Sequence, residues 1–416
     1  MLWLLACASE GTGKVHAAPT GGDPTATDTD DSDDADDTGP TDTTDTTPTD
    51  PWVACATEGA ARARCGVEGA GWAAGTPDAV TTGTTLTLDL AAAHSGSDAD
   101  GSMNGGSFRF GTWTSPVLTP GIDFDGLVPW WNATTPAGTW IRVETQVQVS
   151  GSWSAWYQLG IWASGDDAVD RHSYEDSGDR YGDVWTDTVF LDGSADAARL
   201  RLTLYTTGSA SPTVSRAGYA AADTDAGPGP GPQGAAWGIA LDVPTRSQME
   251  FDAGEAWCSP TSISMVLAYW ATQTGNAALD VTVPEAAEGT WDEVYGGNGN
   301  WPFNVAYAAS LGLSGEVGWF DSLDDLEPWI AAGVPVVLSA AWERGDIDGA
   351  AIDSTNGHLL VLRGFDGDGD ALVNDPAAHD DGHVALTYDR AQLEAAWLGG
   401  STGVTYLLWD GERPVP

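Results

Sequence analysis

Apolar and polar residues alternate in short runs between about residues 84 and 222. Each run has apolar side chains at every second position and is bounded by Gly, Ser, Asp or Pro. The clearest runs lie at residues 85–90, 139–149, 155–162 and 199–205. Because a period of two places alternate side chains on one face of a strand, and no helical period appears between the runs, this region predicts an all-β domain, most simply a β-sandwich.

The pattern changes after residue 234. Apolar side chains then recur at i, i+3, i+4 and i+7, namely at Ile263, Val266, Leu267 and Trp270. With Pro260 in the first turn and Gly275 just beyond the end, this spacing predicts a helix that begins after Cys258. Further helices are predicted at 303–311, 323–332 and 390–397, and strands at 335–341, 358–364, 371–374 and 404–409. The C-terminal region is therefore expected to be α+β.

Low-complexity segments suggest where the domains begin and end. Residues 21–50 contain 11 Asp and 10 Thr and no large apolar side chain, which predicts a self-repelling, extended tether. Residues 225–234 form a Gly/Pro linker. The expected order is a truncated signal or lipobox at 1–7, the tether at 8–51, a small cysteine-containing segment at 52–83, the β-sandwich at 84–222, the linker at 223–235 and the α+β domain at 236–416.

Charge excludes one class of partner. The formal net charge is −46, from 61 acidic and 15 basic residues, so the phosphate backbone of a nucleic acid would be repelled. The same excess of carboxylates fits either an exported protein in a salty or calcium-rich medium or a halophilic cytoplasm. The tryptophans at 113, 130, 131, 140, 153, 156, 162 and 185 predict either a core or a surface that stacks on a polysaccharide, and a core is the simpler interpretation.

The N-terminus indicates export. Residues 4–7, Leu-Leu-Ala-Cys, resemble a bacterial lipobox, in which the cysteine is lipidated after cleavage of the signal peptide. Cys7 is accordingly expected to anchor the protein at the cell envelope, the alternative being an ordinary truncated signal sequence of a secreted protein. Contact with a membrane is expected only through that lipid, because no run of 18 apolar residues occurs.

The remaining cysteines suggest two different uses. Cys55 and Cys65 flank a short segment rich in Gly and Ala, where a disulfide could form in an oxidising compartment. That pairing leaves Cys258 without an expected partner. Such a cysteine is either buried as a small hydrophobic residue or kept because its thiol reacts.

Three residues could carry nucleophilic chemistry. Cys258, in the sequence EAWCSPTS (255–262), lies where a helix N-terminus favours the thiolate. His358 begins a predicted strand, and Asp375 follows the next strand, which could lie antiparallel and bring the carboxylate to the imidazole. They could therefore act as nucleophile, general base and orienting carboxylate. Taken singly, each has an ordinary structural alternative: a buried cysteine, a strand histidine and a turn.

Three motifs together resemble the papain-like cysteine peptidases of the family that includes the bacteriocin leader-processing peptidases (cysteine peptidase family 39). They are WCSPTS (257–262), NGH (356–358) and NDP (374–376), within a match that spans about 237–409. The resemblance implies a papain-like fold, a peptide or protein substrate, attack through a thioester intermediate and no cofactor. It also implies an oxyanion-hole glutamine ahead of the cysteine, for which Gln248 is the candidate.

Other functions remain compatible with these residues. The same triad would serve a cell-wall amidase or endopeptidase or an acyl transferase, and a relative that has lost activity would be a surface-binding protein. Two polar motifs suggest metals only weakly. Residues 366–370, DGDGD, favour a tight turn over a calcium loop, and residues 379–383, HDDGH, favour a solvated loop over a zinc site. No metal site is therefore expected.

Overall fold

The computed structural model describes residues 53–58, 61–98, 103, 106–165, 169–175, 177–227, 234–412 and 416. The predicted lipobox with Cys7 and the tether at 8–51 lie outside these residues. The described chain is mostly β, in two units that pack against each other. The first unit ends with the strand Thr213–Ala222, and the second runs from residue 234 onward.

The first unit consists of strands joined by short connections. In chain order they begin with β1 (Val53–Thr57), β2 (Arg62–Glu68), β3 (Thr76–Asp78), β4 (Val80–Thr82), β5 (Leu86–Leu88), β6 (His94–Ser97), β7 (Ser107–Thr114), β8 (Phe124–Thr134) and β9 (Thr139–Val149). They continue with β10 (Ser152–Trp153), β11 (Tyr157–Trp162), β12 (His172–Ser173), β13 (Gly178–Asp179), β14 (Gly182–Trp185), β15 (Thr188–Ala195), β16 (Ala197–Thr206) and β17 (Thr213–Ala222).

These strands form two antiparallel sheets that share a buried core. One sheet has the order β1-β2-β17-β8-β15-β14-β13, with β5 on β17 and β4 on β5; the other has the order β12-β11-β9-β16-β7-β3, with β10 on β9 and β6 on β7. Strand β2 pairs with β17 along its whole length. Strands of the small cysteine-containing segment predicted at 52–83 thus join these sheets, through pairings too distant in the chain for the sequence pattern to show.

Most tryptophans of the first unit belong to its core. Of the eight tryptophans named in the sequence analysis, five are no more than 2% exposed: Trp113, Trp130, Trp131, Trp140 and Trp162. Trp153 and Trp156 are half-buried beneath arginine side chains, with the guanidinium of Arg201 4.2 Å from the Trp156 ring. Only Trp185, at 46% exposed, stands in solvent. These positions support the core interpretation over a polysaccharide-stacking surface.

The second unit combines one antiparallel sheet with helices. Its elements are α1 (Cys258–Thr274), α2 (Val283–Thr290), α3 (Trp301–Ser310), β18 (Ser314–Trp319), α4 (Glu327–Ala331), β19 (Val336–Trp342), β20 (Thr355–Phe365), β21 (Ala371–Asn374), β22 (Ala385–Tyr388), α5 (Arg390–Ser401) and β23 (Val404–Trp409). The sheet has the order β18-β23-β19-β20-β21-β22. This α+β arrangement agrees with the sequence pattern.

Helix α1 is the central element of this unit. Every residue from Cys258 to Ala271 is buried, so the helix is covered on all sides. Two of its buried serines are hydrogen-bonded: Ser259 to the hydroxyl of Tyr406 at 3.0 Å, and Ser264 to the carbonyl of Thr261 at 2.7 Å. The helix ends at Gly275, whose φ of 72° is the left-handed conformation that glycine adopts most easily. Among the described helices, none is long and apolar enough to cross a membrane.

The two units share a large apolar interface. Phe303 of α3 lies 6.0 Å from the ring of Trp131 and 5.4 Å from the ring of Trp162, both edge-on. Beside them the side chain of Asn132 donates to the carbonyl of Gly315 at 2.7 Å and accepts from its N–H at 3.0 Å. These contacts fix β8 of the first unit against α3 and β18 of the second.

A buried ion network crosses the same interface. Glu316 of β18 accepts from Arg64 of β2 at 2.8 Å and from Arg216 of β17 at 2.6 Å. Burial alone would raise the pKa of Glu316, but Arg216 and Arg64 outweigh it and hold that pKa below its usual value. The carboxylate is therefore charged in the folded protein, and it joins the two units.

A second buried carboxyl makes stability depend on pH. Asp187 of the first unit accepts from the backbone N–H of Trp301, at the start of α3, at 2.7 Å, and from Thr188 at 3.0 Å. Burial raises its pKa to about 7, and nearby Asp292 adds to the rise. The folded protein thus holds a proton between about pH 4 and pH 7 that the unfolded chain releases. Its contribution to stability must fall as the pH rises through that range.

We expect Asp187→Asn to remove this dependence. Asparagine keeps the shape of the protonated acid, so the thermal midpoint of the variant should exceed that of the parent at pH 8 and match it near pH 4. Calorimetric unfolding of both proteins across this range is the measurement. Asp192→Asn, an exposed aspartate of the same unit, is the control. A parent and an Asp187→Asn variant that differ by the same amount at every pH would contradict the assignment.

Candidate active site

Cys258 is the first residue of α1. The N-cap residue, Trp257, provides no side-chain hydrogen bond to the helix, so the positive end of the helix dipole is not neutralised by a capping carboxylate or hydroxyl. The first-turn N–H groups have no acceptor within the helix itself. Both features favour a thiolate over a thiol at this position.

Helix α1 lies against the start of β20, which carries His358. The hydroxyl of Ser262 donates to the carbonyl of Leu359 at 3.0 Å. Ser262 is one helical turn after Cys258 and on the same face, and Leu359 directly follows His358. This contact places the first turn of α1 beside the histidine.

His358 and Asp375 form a buried pair. The Nε2 atom of His358 lies 2.7 Å from Oδ1 of Asp375, and the side chains are 3% and 0% exposed. Strand β21 brings them together, because Asn374 pairs with Val361 and the chain then runs back toward His358. Since Asp375 holds Nε2, the nitrogen left for proton transfer is Nδ1. The ring of Trp342 meets the imidazole edge-on at 5.5 Å.

Asp375 is charged although it is fully buried. Burial alone would raise its pKa, but His358, the hydroxyl of Tyr388 at 2.7 Å and the N–H of Ala377 at 2.9 Å together hold that pKa below its usual value. A carboxylate with these donors stays charged, accepts a hydrogen bond from the Nε2–H group of His358 and keeps the ring in one orientation. The charged Asp375 carboxylate and its donors stabilise the folded protein above the ordinary pKa of 3.8. This stabilisation is lost as the pH falls through the lowered pKa of Asp375.

Tyr388 is a positioning residue that the sequence pattern did not reveal. Its hydroxyl donates to Oδ2 of Asp375 and accepts from the N–H of Ala351 at 3.0 Å. Its short strand, β22, has the burial pattern exposed, intermediate, exposed, buried. That alternation over four residues is too brief to signal a strand, and nothing in it links Tyr388 to a carboxylate 13 residues earlier.

We expect Tyr388→Phe to lower kcat/KM for amide hydrolysis roughly tenfold, because a hydrogen bond to a charged group contributes about 1.5–3 kcal/mol. The pKa of Asp375 should rise, so the loss of activity in acid should begin at a higher pH. The pH profile of kcat/KM measures both effects. Tyr219→Phe is the control, since it removes a buried hydroxyl that donates to Leu118 in the first unit. A Tyr388→Phe profile that overlays the parent's would rule out the positioning role.

Comparison with known proteins bears on both units. A family model described as the peptidase C39 N-terminal domain matches residues 63–222. A second, described as the peptidase C39-like family, matches residues 240–402, which contain Cys258, His358 and Asp375. Residues 240–402 therefore resemble the C39-like peptidases, and residues 63–222 resemble the N-terminal domain of C39 peptidases. The family resemblance read from the three motifs is thereby confirmed.

Among curated proteins none matches this chain. A crystal structure of a C39-like peptidase from Bacillus anthracis is 18% identical to this chain, with a TM-score of 0.29, and the match covers 41% of this chain and 96% of that one.

The cysteines of this chain differ in part from expectation. Cys55 and Cys65 lie opposite each other on β1 and β2 and are joined by a disulfide. Cys258 is also disulfide-bonded, which corrects the expectation that it lacks a partner. Sequence spacing could not show this, because it gives no information on which distant sulfurs approach each other. A thiolate at Cys258 therefore requires reduction of that bond.

Gln248 lies close to the other site residues but uses its amide elsewhere. Its backbone N–H donates to the carbonyl of Pro376 at 2.9 Å, next to Asp375. Its side-chain nitrogen donates to the carbonyls of Gly254 at 2.8 Å and Glu255 at 3.2 Å, so it holds the loop that bulges ahead of Cys258. In this orientation the amide does not also donate to an oxyanion. That role requires the side chain to turn.

The two polar motifs form local hydrogen-bonded structures. In residues 366–370 the backbone N–H groups of Asp368 and Asp370 donate to the carboxylate of Asp366, as in a tight turn. In residues 379–383 the side chain of His383 hydrogen-bonds to Asp380 at 2.7 Å, and Nε2 of His379 lies 2.9 Å from the other carboxylate oxygen. The possible ligand atoms of these three lie within 4.8 Å of one another.

Proposed function

We propose that this chain is an exported cysteine peptidase with a papain-like triad of Cys258, His358 and Asp375. The observation that carries the proposal is the buried hydrogen bond between His358 and Asp375, held beside the first turn of the helix that begins with Cys258. The three residues come from α1, β20 and the end of β21. The match of residues 240–402 to the C39-like family supports a peptidase.

The proposed reaction begins with reduced Cys258. Its thiolate attacks the carbonyl carbon of an amide bond, and the carbonyl electrons move onto oxygen. The imidazolium of His358 gives its Nδ1 proton to the leaving amine as the C–N bond breaks, which leaves a thioester. Neutral His358 then takes a proton from water, the resulting hydroxide attacks the thioester, and the Cys258 thiolate is released with the carboxylic acid product.

Two further groups complete the proposed site. The N–H groups of the first turn of α1 stabilise the oxyanion, because they point out of the helix toward the attacked carbonyl. The Gln248 amide becomes a second donor when it turns from Gly254 and Glu255. Asp375 accepts a hydrogen bond from the Nε2–H group of His358 throughout the reaction and is not protonated in any step.

Product analysis distinguishes the proposed peptidase from enzymes with the same triad. The reduced full chain is incubated with denatured casein, with purified peptidoglycan, and with a peptide plus an added amine. New peptide termini in casein support the peptidase. Release of wall peptides alone would instead show an amidase or endopeptidase, and incorporation of the amine would show a transferase.

Export remains part of the proposal. The Cys55–Cys65 disulfide supports an oxidising compartment, and the lipobox-like residues 4–7 support a lipid at Cys7 in the form of the protein that has reduced Cys258. Labelled palmitate supplied to expressing cells tests the anchor. Label in the parent and none in Cys7→Ala is the expected result, and equal label in both would exclude lipidation at Cys7.

A further inference from the structure

A cavity of about 540 Å³ opens beside the start of α1. Trp257, which directly precedes Cys258, and Ala253 form one side. Helix α2 forms another side through Ala287 and Glu288, and the loop after it contributes Trp291 and Glu293. The residue that precedes Cys258 in the chain thus forms part of the cavity wall.

The first unit supplies the remaining wall. Val169, Asp170 and Arg171 of that unit line the cavity. The segment is fixed in place from both sides. The guanidinium of Arg171 donates to the carbonyls of Ala163, Glu288 and Trp291, while its own carbonyl accepts from the N–H of Glu293 at 2.9 Å.

A further bond anchors the loop after α2. The buried carboxylate of Asp292 accepts from the N–H of Ser173, in the first unit, at 2.9 Å. The same carboxylate accepts from the side-chain amide of Asn300, the N-cap residue of α3, at 2.9 Å. The cavity is thus a junction of both units and not a feature of the second unit alone.

The chemistry of the lining selects a particular ligand. Its inner surface is apolar: Val169 and Ala287 are buried, and the ring of Trp291 is 40% exposed toward solvent. Around it stand three exposed carboxylates, those of Asp170, Glu288 and Glu293. The cation of Arg171 offsets only one of these three charges, so the rim presents a net negative charge. An apolar group flanked by cations complements both features.

We propose that this cavity binds an apolar side chain of the peptide substrate that is flanked by lysine or arginine, and that the wall at 169–171 makes the first unit part of the specificity site. The inference rests on the proposed function only in naming the bound peptide a substrate. It accounts for the tight junction of the two units at this point. Binding can be measured separately from cleavage.

The test uses the full chain carrying Cys258→Ala, which cannot cleave. Two short peptides share one leucine-rich centre and differ in flanks of lysine or glutamate, and titration calorimetry gives the Kd of each. We expect the lysine peptide to bind at least tenfold more tightly, with the difference shrinking at high salt because the rim is exposed. Equal affinities for the two peptides would overturn the inference.

Variants locate the binding. Trp291→Ala should weaken both peptides roughly tenfold, whereas Glu288→Gln should weaken only the lysine peptide, about threefold. The matched controls are Trp185→Ala and Asp192→Asn, an exposed tryptophan and an exposed carboxylate elsewhere in the first unit, and they should leave both Kd values unchanged. An unchanged Kd in Trp291→Ala would overturn the placement in this cavity.

Cleavage by the reduced parent separates this inference from the proposed function. If the lysine peptide binds preferentially but is not cleaved, the cavity is confirmed as a binding site and the peptidase proposal fails for it. If both peptides are cleaved with equal kcat/KM and bind equally, the peptidase proposal is supported and the selective cavity is refuted.

Discussion

Alanine at position 258 or at position 358 should lower kcat/KM for amide hydrolysis by about 10⁴-fold or more. The loss is large because nucleophile and base act as a unit, so the removal of either disables the attack that both perform. The measurement is the rate at which the reduced full chain cleaves an internally quenched, lysine-flanked peptide. Asp375→Asn should cost less than either, because His358 and Cys258 remain in place.

The matched control for this experiment lies on the same helix. Ser264→Ala removes a buried hydroxyl that bonds only to the carbonyl of Thr261, within α1. It should leave kcat/KM within about twofold of the parent. A Cys258→Ala protein that retains parental activity, with Ser264→Ala also active, would show that the hydrolysis does not use this cysteine.

Removal of the Glu316 carboxylate should produce the largest loss of stability. Glu316→Ala leaves Arg64 and Arg216, which both lie on the first unit's side of the interface, without their shared partner. Loss of one member of a buried ion pair costs about 3–5 kcal/mol. Each arginine keeps one other carboxylate, Glu58 or Glu68, so the lower part of that range is expected. The free energy of unfolding in urea measures it.

The pH dependence identifies the cause of that loss. Because the folded-state pKa of Glu316 lies below the ordinary value of 4.5, the difference between parent and Glu316→Ala is complete above about pH 4.5 and shrinks at lower pH. Glu412→Ala, at an exposed position, should change the free energy by less than about 0.5 kcal/mol. A Glu316→Ala protein as stable as that control would contradict the account of the interface.

Local sequence patterns predicted the second unit well. Helix α1 begins at Cys258 and ends before Gly275, and strands β21 and β23 have the predicted bounds 371–374 and 404–409. These elements are long, strongly apolar or bounded by glycine, so the local signal is sufficient. Helix α2 was missed although a capping box joins Thr282 and Glu285. Its eight residues contain few large apolar side chains, so the cap was the only available signal.

Contacts between distant parts of the chain were beyond sequence reasoning. Glu316 pairs with Arg64 across 252 positions, and Asp187 binds the start of α3 across 114. Neither leaves a local pattern, because each depends on how two complete units pack. The antiparallel approach of Asp375 to His358 was within reach, since two adjacent strands joined by a short turn have few ways to pair. The cavity wall at 169–171 could not be predicted in this way. Because that wall belongs to the first unit, the experiments use the full chain.

The central claim is that His358 activates Cys258. The most direct measurement is the pH dependence of alkylation by iodoacetamide in the reduced full chain, read by mass spectrometry on the peptide that contains Cys258, for the parent and for His358→Ala. We expect Cys258 of the parent to be alkylated at pH values well below the ordinary thiol pKa of about 8.5. In His358→Ala this alkylation at low pH should be lost. Identical profiles in both proteins, centred near that ordinary value, would contradict the central claim.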